Sequence, residues 1–341
     1  MKLLVSALEP SANLHLENLL SQTSGVELHG IFDEKFGVPL ISPKEFSVMG
    51  FVDAIKKIFA AKKAINALAA QAAQCDKVLL IDAPAFNLPL AKAIKKAYPN
   101  KEIIYYILPK VWAWKKGRIA AIEQYTDVQA YIFPFEKEFW AKGVYVGNPL
   151  IEEIKEKKSA PTHSNITAFL PGSRKAEITK LMPVFREVAA RIDGIKILAV
   201  PPFFDDAKIS ELYGDTSGFE IVRDAKYALM YASKAVVCSG TATLEAAIIG
   251  TPTLLVYIAK PIDYWIATKF VTTLRHVGLA NIIADFEGAG EIHPELLQDE
   301  VTVDAVLSGL GQMDEDAFLT KSLWLRERLG GKDRALSEFF V

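Results

Sequence analysis

Residues 235–257 leave this chain little choice of fold. Ala235-Val236-Val237-Cys238 is an apolar run of the length of a buried strand. Ser239-Gly240-Thr241-Ala242-Thr243 follows, all small, and then Leu244-Glu245-Ala246-Ala247-Ile248-Ile249, a good helix. Gly250 and Pro252 stop that helix, and residues 253–257 read as a second strand. A strand, a helix and a strand in this order make a parallel pair with a right-handed crossover, which needs a sheet covered on both faces. The small-residue turn lies at the C-terminal end of its strand and exposes backbone N–H groups at a helix N-terminus, where an anion is favoured. Gly240 and Ala242 let a phosphate approach the backbone, and Glu245, one turn in, reaches towards the hydroxyls of an attached ribose. The same residues also suit an ordinary turn of a parallel sheet, so this stretch leaves nucleotide-diphosphate binding and plain turn both open.

The same alternation runs through the chain. Strands are expected at residues 2–7, 28–32, 77–81, 103–107, 129–133 and 144–146, with helices at 14–20, 51–70 and from 88 to about 97. A polar stretch, 152–165, precedes a second series: strands at 166–170, 196–200, 220–222, 235–238 and 253–257, with a helix through Ile192 and a mostly helical end from Val301. A chain of 341 residues is too long for one ordinary core and comfortable for two. The fold class expected is α/β: GT-B architecture, two Rossmann-like domains with parallel sheets facing a central cleft. The boundaries expected are 1–149, 150–320 and a C-terminal helical segment 321–341. That segment either returns to the first domain or exchanges between the subunits of a homodimer. In both halves the polar residues fall at the C-terminal ends of strands, where open parallel sheets bind ligands.

With 51% hydrophobic and 23% charged residues the composition is that of a globular protein, and the formal net charge of -2 argues against a general nucleic-acid binder. Cys75 and Cys238 have no metal-type spacing and point to a reducing compartment. The N-terminal apolar run is broken by Glu9 and fits a first strand better than a signal peptide. The most apolar region, 235–259, carries Glu245, Gly250 and Pro252 and is a poor transmembrane span. The expectation is a cytoplasmic protein with only peripheral membrane contact.

Several stretches together resemble the lipid A disaccharide synthase family. They are Ser47-Val-Met-Gly-Phe51, Ile81-Asp-Ala-Pro-Ala-Phe-Asn87, Val111-Trp-Ala-Trp114, Phe133-Pro-Phe-Glu136, Leu170-Pro-Gly-Ser-Arg174 with Glu177, Ser239-Gly-Thr-Ala-Thr-Leu-Glu245 and Asn281-Ile-Ile-Ala284, seven in order over residues 1 to about 300. The resemblance implies an inverting, metal-independent glycosyl transfer without a cofactor, at the inner face of the cytoplasmic membrane. The donor implied is UDP-2,3-diacylglucosamine and the acceptor 2,3-diacylglucosamine 1-phosphate. The products are the β-1,6-linked disaccharide 1-phosphate and UDP, in lipid A and lipopolysaccharide biosynthesis. Three positions depart from the family pattern. Leu8-Glu9-Pro10-Ser11-Ala12-Asn13 stands where the family usually has Gly-Glu-Xaa-Ser-Gly-Asp, Ala85 where it has aspartate, and Leu279-Ala280-Asn281 where it has Leu-Pro-Asn. Two other readings share parts of the pattern. One is another GT-B UDP-GlcNAc enzyme, a 2-epimerase or the peptidoglycan GlcNAc transferase. The other is a non-catalytic nucleotide-sugar-binding protein, which would bind UDP without turnover.

An inverting transfer needs a base to take the acceptor hydroxyl's proton. Asp82, at a strand end before a proline turn, is the candidate, with Glu9 second and His15 third; each also suits a structural cap or packing role. Arg174 is the candidate for neutralising the departing UDP, since a guanidinium fork and helix N-termini can replace a metal at a diphosphate. Its alternative is a surface pair with Glu177. Gly172, Ser173, Ser239, Gly240, Thr241, Ala242, Thr243 and Glu245 complete the donor set, with Asn281 and Gln298 as amides for the base, ribose or sugar. Ser11, Asn13, Met49, Phe51, Asn87, Trp112 and Trp114 are expected on the acceptor or membrane side, the tryptophans stacking under a sugar or packing in the core. The 51–70 helix mixes Phe51, Val52, Ile55, Ile58 and Phe59 with Lys56, Lys57, Lys62 and Lys63. This suits an anionic membrane surface or an amphipathic helix packed on its own sheet. Lys260, Tyr264, Trp265, Lys269 and Phe270 share that ambiguity.

Overall fold

The computed structural model describes residues 1–44, 54–113, 117–259 and 274–340, with the side chains of 54–57 left out. Met49, Phe51, Trp114 and the 260–270 basic-aromatic stretch lie outside the described residues. The chain divides into two compact units, Met1–Pro149 with Gly331–Val341, and Leu150–Gly330.

Unit 1 carries six parallel strands: β1 (Lys2–Ser6), β2 (Glu27–Ile31), β3 (Lys77–Ile81), β4 (Glu102–Tyr106), β5 (Val128–Tyr131) and β6 (Gly143–Tyr145), in the order β2-β1-β3-β4-β5-β6. The central strands are apolar at nearly every position because both faces are covered. Side chains alternate across the sheet. Leu4, Val78, Leu80, Ile103 and Tyr105 meet the helices Ala54–Gln71 and Pro84–Ala97 on one face. Leu3, Val5, Leu79, Ile81, Ile104 and Tyr106 form the other face. The C-terminal segment closes that second face with Phe339 and Phe340. It is tied down by Lys77 Nζ donating to the Phe339 carbonyl at 2.7 Å and by Asp333 N donating to the Tyr145 carbonyl at 2.8 Å.

Unit 2 repeats the plan with β7 (Ile166–Leu170), β8 (Ile195–Ala199), β9 (Glu220–Val222), β10 (Lys234–Cys238), β11 (Thr253–Tyr257) and β12 (Glu295–Leu297), all parallel in the order β12-β11-β10-β7-β8-β9. Phe169, Leu198, Val236 and Val256 pack under the helices Lys175–Arg191 and Val303–Gly311.

The order of strands decides where ligands go. In unit 1 the chain adds β2 on one side of β1 and β3 on the other. In unit 2 it runs β7-β8-β9 outward and returns to place β10 on the opposite side of β7. Neighbouring loops diverge at such a switch point and leave a crevice at the carboxyl ends of the strands. The two crevices therefore lie at the β1/β3 and β7/β10 ends. Several elements differ from the sequence reading. The first helix begins at Pro10, because proline fits the first helical position. The short strand β12 and the helices Asp206–Tyr213 and Ala225–Tyr231 are too brief to register as periodic patterns. Among the described residues no helix is long and apolar enough to cross a membrane.

Candidate functional site

At the β7/β10 switch point lies a pocket of about 350 Å³ lined by Gly172, Ser173, Arg174, Ser239, Gly240, Thr241 and Ala242. Sequence reasoning named these residues, and the fold brings them together. The helix Thr241–Ile249 opens into the pocket with Gly240 as its N-cap, no side-chain cap and no acidic residue in its first turn. Thr243 N donates to the Gly240 carbonyl at 3.3 Å, and Thr241 and Ala242, which open the helix, line the pocket at its partially positive end.

Arg174 stands at the N-cap of the helix Lys175–Arg191. Its Nη1 donates to Glu177 Oε1 at 2.7 Å, and its backbone N donates to Glu177 Oε2 at 3.3 Å. The surface-pair alternative is thus present, yet the guanidinium is 79% exposed on the pocket wall while Glu177 is buried. The Glu177 hydrogen bond and charge raise the Arg174 pKa, so the cation is permanent. Gly172, at φ +94°, carries the turn, and a Cβ there would meet Glu177 Oε2 at 2.6 Å. Only glycine fits.

The pocket also takes in Pro201, Pro202, Arg223 and Ala225, which the sequence reading missed. They follow β8 and β9, so the strand-end rule that found Ser239 would have found them too. Arg223 is tied to Asp206 at 2.9 Å and to the Phe204 carbonyl.

Four donor-side expectations fall elsewhere. Thr243 is buried, and its hydroxyl donates back to the Gly240 carbonyl at 2.8 Å. Glu245 is off the pocket wall, half-buried among Lys226, Glu153 and Asp224, and burial raises its pKa against the pull of Lys226. Asn281 is fully buried with its amide fully engaged: Nδ2 donates to the His293 carbonyl and Glu295 Oε1, and Oδ1 accepts from Ile292 N and His293 N. It holds the approach to β12, which corrects its reading as a ligand contact. Gln298 closes β12 in a left-handed conformation, φ +54°, away from the pocket.

At the β1/β3 switch point, Glu9 follows β1 and Asp82 follows β3. Asp82 and Ala83 are both left-handed, φ +48° and +43°, a conformation that costs non-glycine residues free energy and clusters at functional sites. Asn87 locks this turn. It is fully buried, with Nδ2 donating to the carbonyls of Ile81 (3.0 Å) and Asp82 (2.8 Å) and Oδ1 accepting from Ser6 Oγ at 2.6 Å. Asn13 does the same for the β1 turn, donating to the Ala7 and Glu9 carbonyls and accepting from Asp33 N at 2.7 Å. Both were expected on the acceptor; both are instead buried props for the two carboxylates. Ser11 is exposed beside them.

Burial raises the Asp82 pKa, while the Ala83 backbone bond, Lys110 and His15 pull it down. Burial and the Asp82 charge raise that of Glu9. Beside an ionised Asp82, Glu9 therefore keeps its proton to higher pH. Trp112 is a correction: at 3% exposure it packs edge-on against Phe133 and Phe135 and donates its indole N–H to Glu136, so it cannot stack under a sugar.

The model of the lipid-A-disaccharide synthetase family matches residues 3–313. A lipid-A-disaccharide synthase of Campylobacter jejuni (strain RM1221) is 47% identical, covering 96% of this chain and 95% of that protein. One of Helicobacter pylori (strain Shi470) is 45% identical, covering 96% and 94%. The crystal structure of Acinetobacter baumannii MurG superposes with a TM-score of 0.60 over 96% of this chain and 94% of that one; at 12% identity this is a likeness of fold, the GT-B fold.

Proposed function

The chain belongs to the lipid-A-disaccharide synthetase family, a family of glycosyltransferases, and on that premise we propose how its two units divide the reaction. A nucleotide-sugar donor and a phosphorylated sugar acceptor follow from the family. The specific pair proposed is UDP-2,3-diacylglucosamine and 2,3-diacylglucosamine 1-phosphate. Unit 2 holds UDP, with the diphosphate at the uncapped helix N-terminus and Arg174 and the nucleoside towards Arg223 and Ala225.

Unit 1 supplies the base. Asp82 removes the proton of the acceptor's 6-hydroxyl as its oxygen attacks the anomeric carbon, opposite the departing diphosphate. The carbon–oxygen bond to UDP breaks, and the new bond is β. Arg174 and the helix N–H groups meet the charge that develops on the leaving oxygen. The observation that carries this reading is the convergence of Arg174, Gly172 and the Ser239–Ala242 turn on one pocket at a topological switch point.

For membrane contact, Ile58 and Phe59 are 67% and 69% exposed beside exposed Lys62 and Lys63, whereas Ala64 and Leu68 bury the helix's other side. We assign that end to peripheral contact with anionic lipid at the inner membrane face.

The test is product analysis. Incubation with the two lipids in detergent yields UDP and a disaccharide 1-phosphate whose anomeric coupling is that of a β linkage. UDP binding without turnover supports the non-catalytic reading instead.

A further inference from the structure

The β1, β3, β4 and β5 strands lie side by side in unit 1, and an ionisable residue follows the end of each: Glu9, Asp82, Lys110 and Glu136. Lys110 is the one cation in this row, set on the middle strand end between Asp82 and Glu136. The backbone beneath is forced into place. Asp82, Ala83 and Ile107 are all left-handed (φ +48°, +43° and +58°), and such a φ is a genuine outlier for the β-branched Ile107.

The neighbouring strands hold that strain. Asp82 N donates to the Tyr106 carbonyl at 3.0 Å, Tyr105 Oη donates to the Asp82 carbonyl at 2.9 Å, and Ile107 N donates to the Ala130 carbonyl at 3.2 Å. The backbone at Lys110 is held by Val111 N donating to Pro109 O at 2.6 Å and Ala113 N donating to Lys110 O at 3.0 Å, while the residue itself is exposed. Behind it Glu136 cannot move: Oε2 accepts from Ile132 N and Phe133 N, and Oε1 accepts from Trp112 Nε1.

We propose that Lys110 is a positioning residue that keeps the Asp82 carboxylate ionised and aimed for proton abstraction. The proposal rests on Asp82 as the base. Lys110 and His15 favour the charge of Asp82, and that charge in turn raises the Glu9 pKa and that of the neighbouring Tyr105. Desolvation by the surrounding protein takes some basicity from Lys110, but Asp82 and Glu136 both support its protonated form. Without Lys110, Asp82 keeps its burial and takes up a proton at higher pH.

The experiment is the pH dependence of kcat/KM for the full-length enzyme with both lipid substrates, for wild type, Lys110→Gln, Lys110→Arg and Asp82→Asn. In Lys110→Gln the acid limb of the profile is expected to move up by about one pH unit, the size expected for removing one neighbouring opposite charge, and Lys110→Arg restores the wild-type profile. A loss equal at every pH, or no loss, overturns the proposal. The Asp82 carboxyl ¹³C signal, identified by its absence from Asp82→Asn, reads the same quantity without turnover. Its midpoint rises in Lys110→Gln, and an unmoved midpoint contradicts the coupling. An Asp82→Asn enzyme with wild-type turnover removes the base reading itself, whatever the midpoint does.

Discussion

Gly172→Ala puts the donor pocket's geometry to a quantitative test. The new methyl would sit 2.6 Å from Glu177 Oε2 and 3.3 Å from both Glu177 Cβ and Cys238 Sγ, on a backbone at φ +94°. The conformation alone costs an alanine about 1–2 kcal/mol. A long flexible acid would normally swing aside, but this one is buried and held by two bonds from Arg174. Displacing it adds a packing penalty of about 1–3 kcal/mol. Together the change should destabilise unit 2 by roughly 2–5 kcal/mol, a fall in Tm of about 6–15 °C for a unit of this size. It should also weaken UDP binding about tenfold or more, since the loop that presents Arg174 must shift. Thermal melting with and without UDP, together with calorimetric titration of UDP, measures both effects. A variant that melts within a degree of wild type and binds UDP equally well would refute the claim that Glu177 and Gly172 lock this turn.

Two further perturbations address unit 1. Asn87→Ala strips partners from Ser6 Oγ and from the Ile81 and Asp82 carbonyls, all in a fully buried site. It should cost about 2–4 kcal/mol by urea denaturation and lower kcat more than it raises KM for the acceptor, because Asp82 loses its support; an unchanged kcat would argue against that role. Burial pushes the Glu136 carboxyl from 4.5 up to about 7, so between those values the native state holds a proton the unfolded chain has released. Stability should therefore fall as pH rises through that window, by ~3 kcal/mol, and level off above it. Urea denaturation at pH 5 and pH 7.5 should show a smaller difference for Glu136→Gln than for wild type; equal differences would count against the buried acid.

The donor half was legible because its determinants are local. A strand, a small-residue turn and a helix are consecutive in residues 235–249, so the pocket wall could be read without tertiary knowledge. Arg174 was legible for the same reason, through its proline-glycine turn and Glu177 three residues on. What could not be read was the direction of polar side chains near the acceptor carboxylates. Asn13, Asn87 and Trp112 sit beside chemically suggestive residues, but strained turns needed internal partners and took their hydrogen bonds. Asn281 went the same way, since a three-residue edge strand with no periodic signal claimed its amide. A role for Lys110, which the sequence shows only as a lysine beside Trp112 and Trp114, depends on strand order: Asp82 and Glu136 lie 28 and 26 residues away in sequence and become its neighbours only across β3, β4 and β5.

The division of labour between the units is tested most directly by pairing turnover with UDP affinity for wild type, Asp82→Asn and Arg174→Ala, using UDP-2,3-diacylglucosamine and 2,3-diacylglucosamine 1-phosphate. Asp82→Asn should bind UDP as wild type does and lose most turnover. Arg174→Ala should lose UDP affinity and turnover together, the latter on the order of 10²–10³. Asp82→Asn turning over at the wild-type rate, or Arg174→Ala with undiminished affinity and rate, would contradict the account.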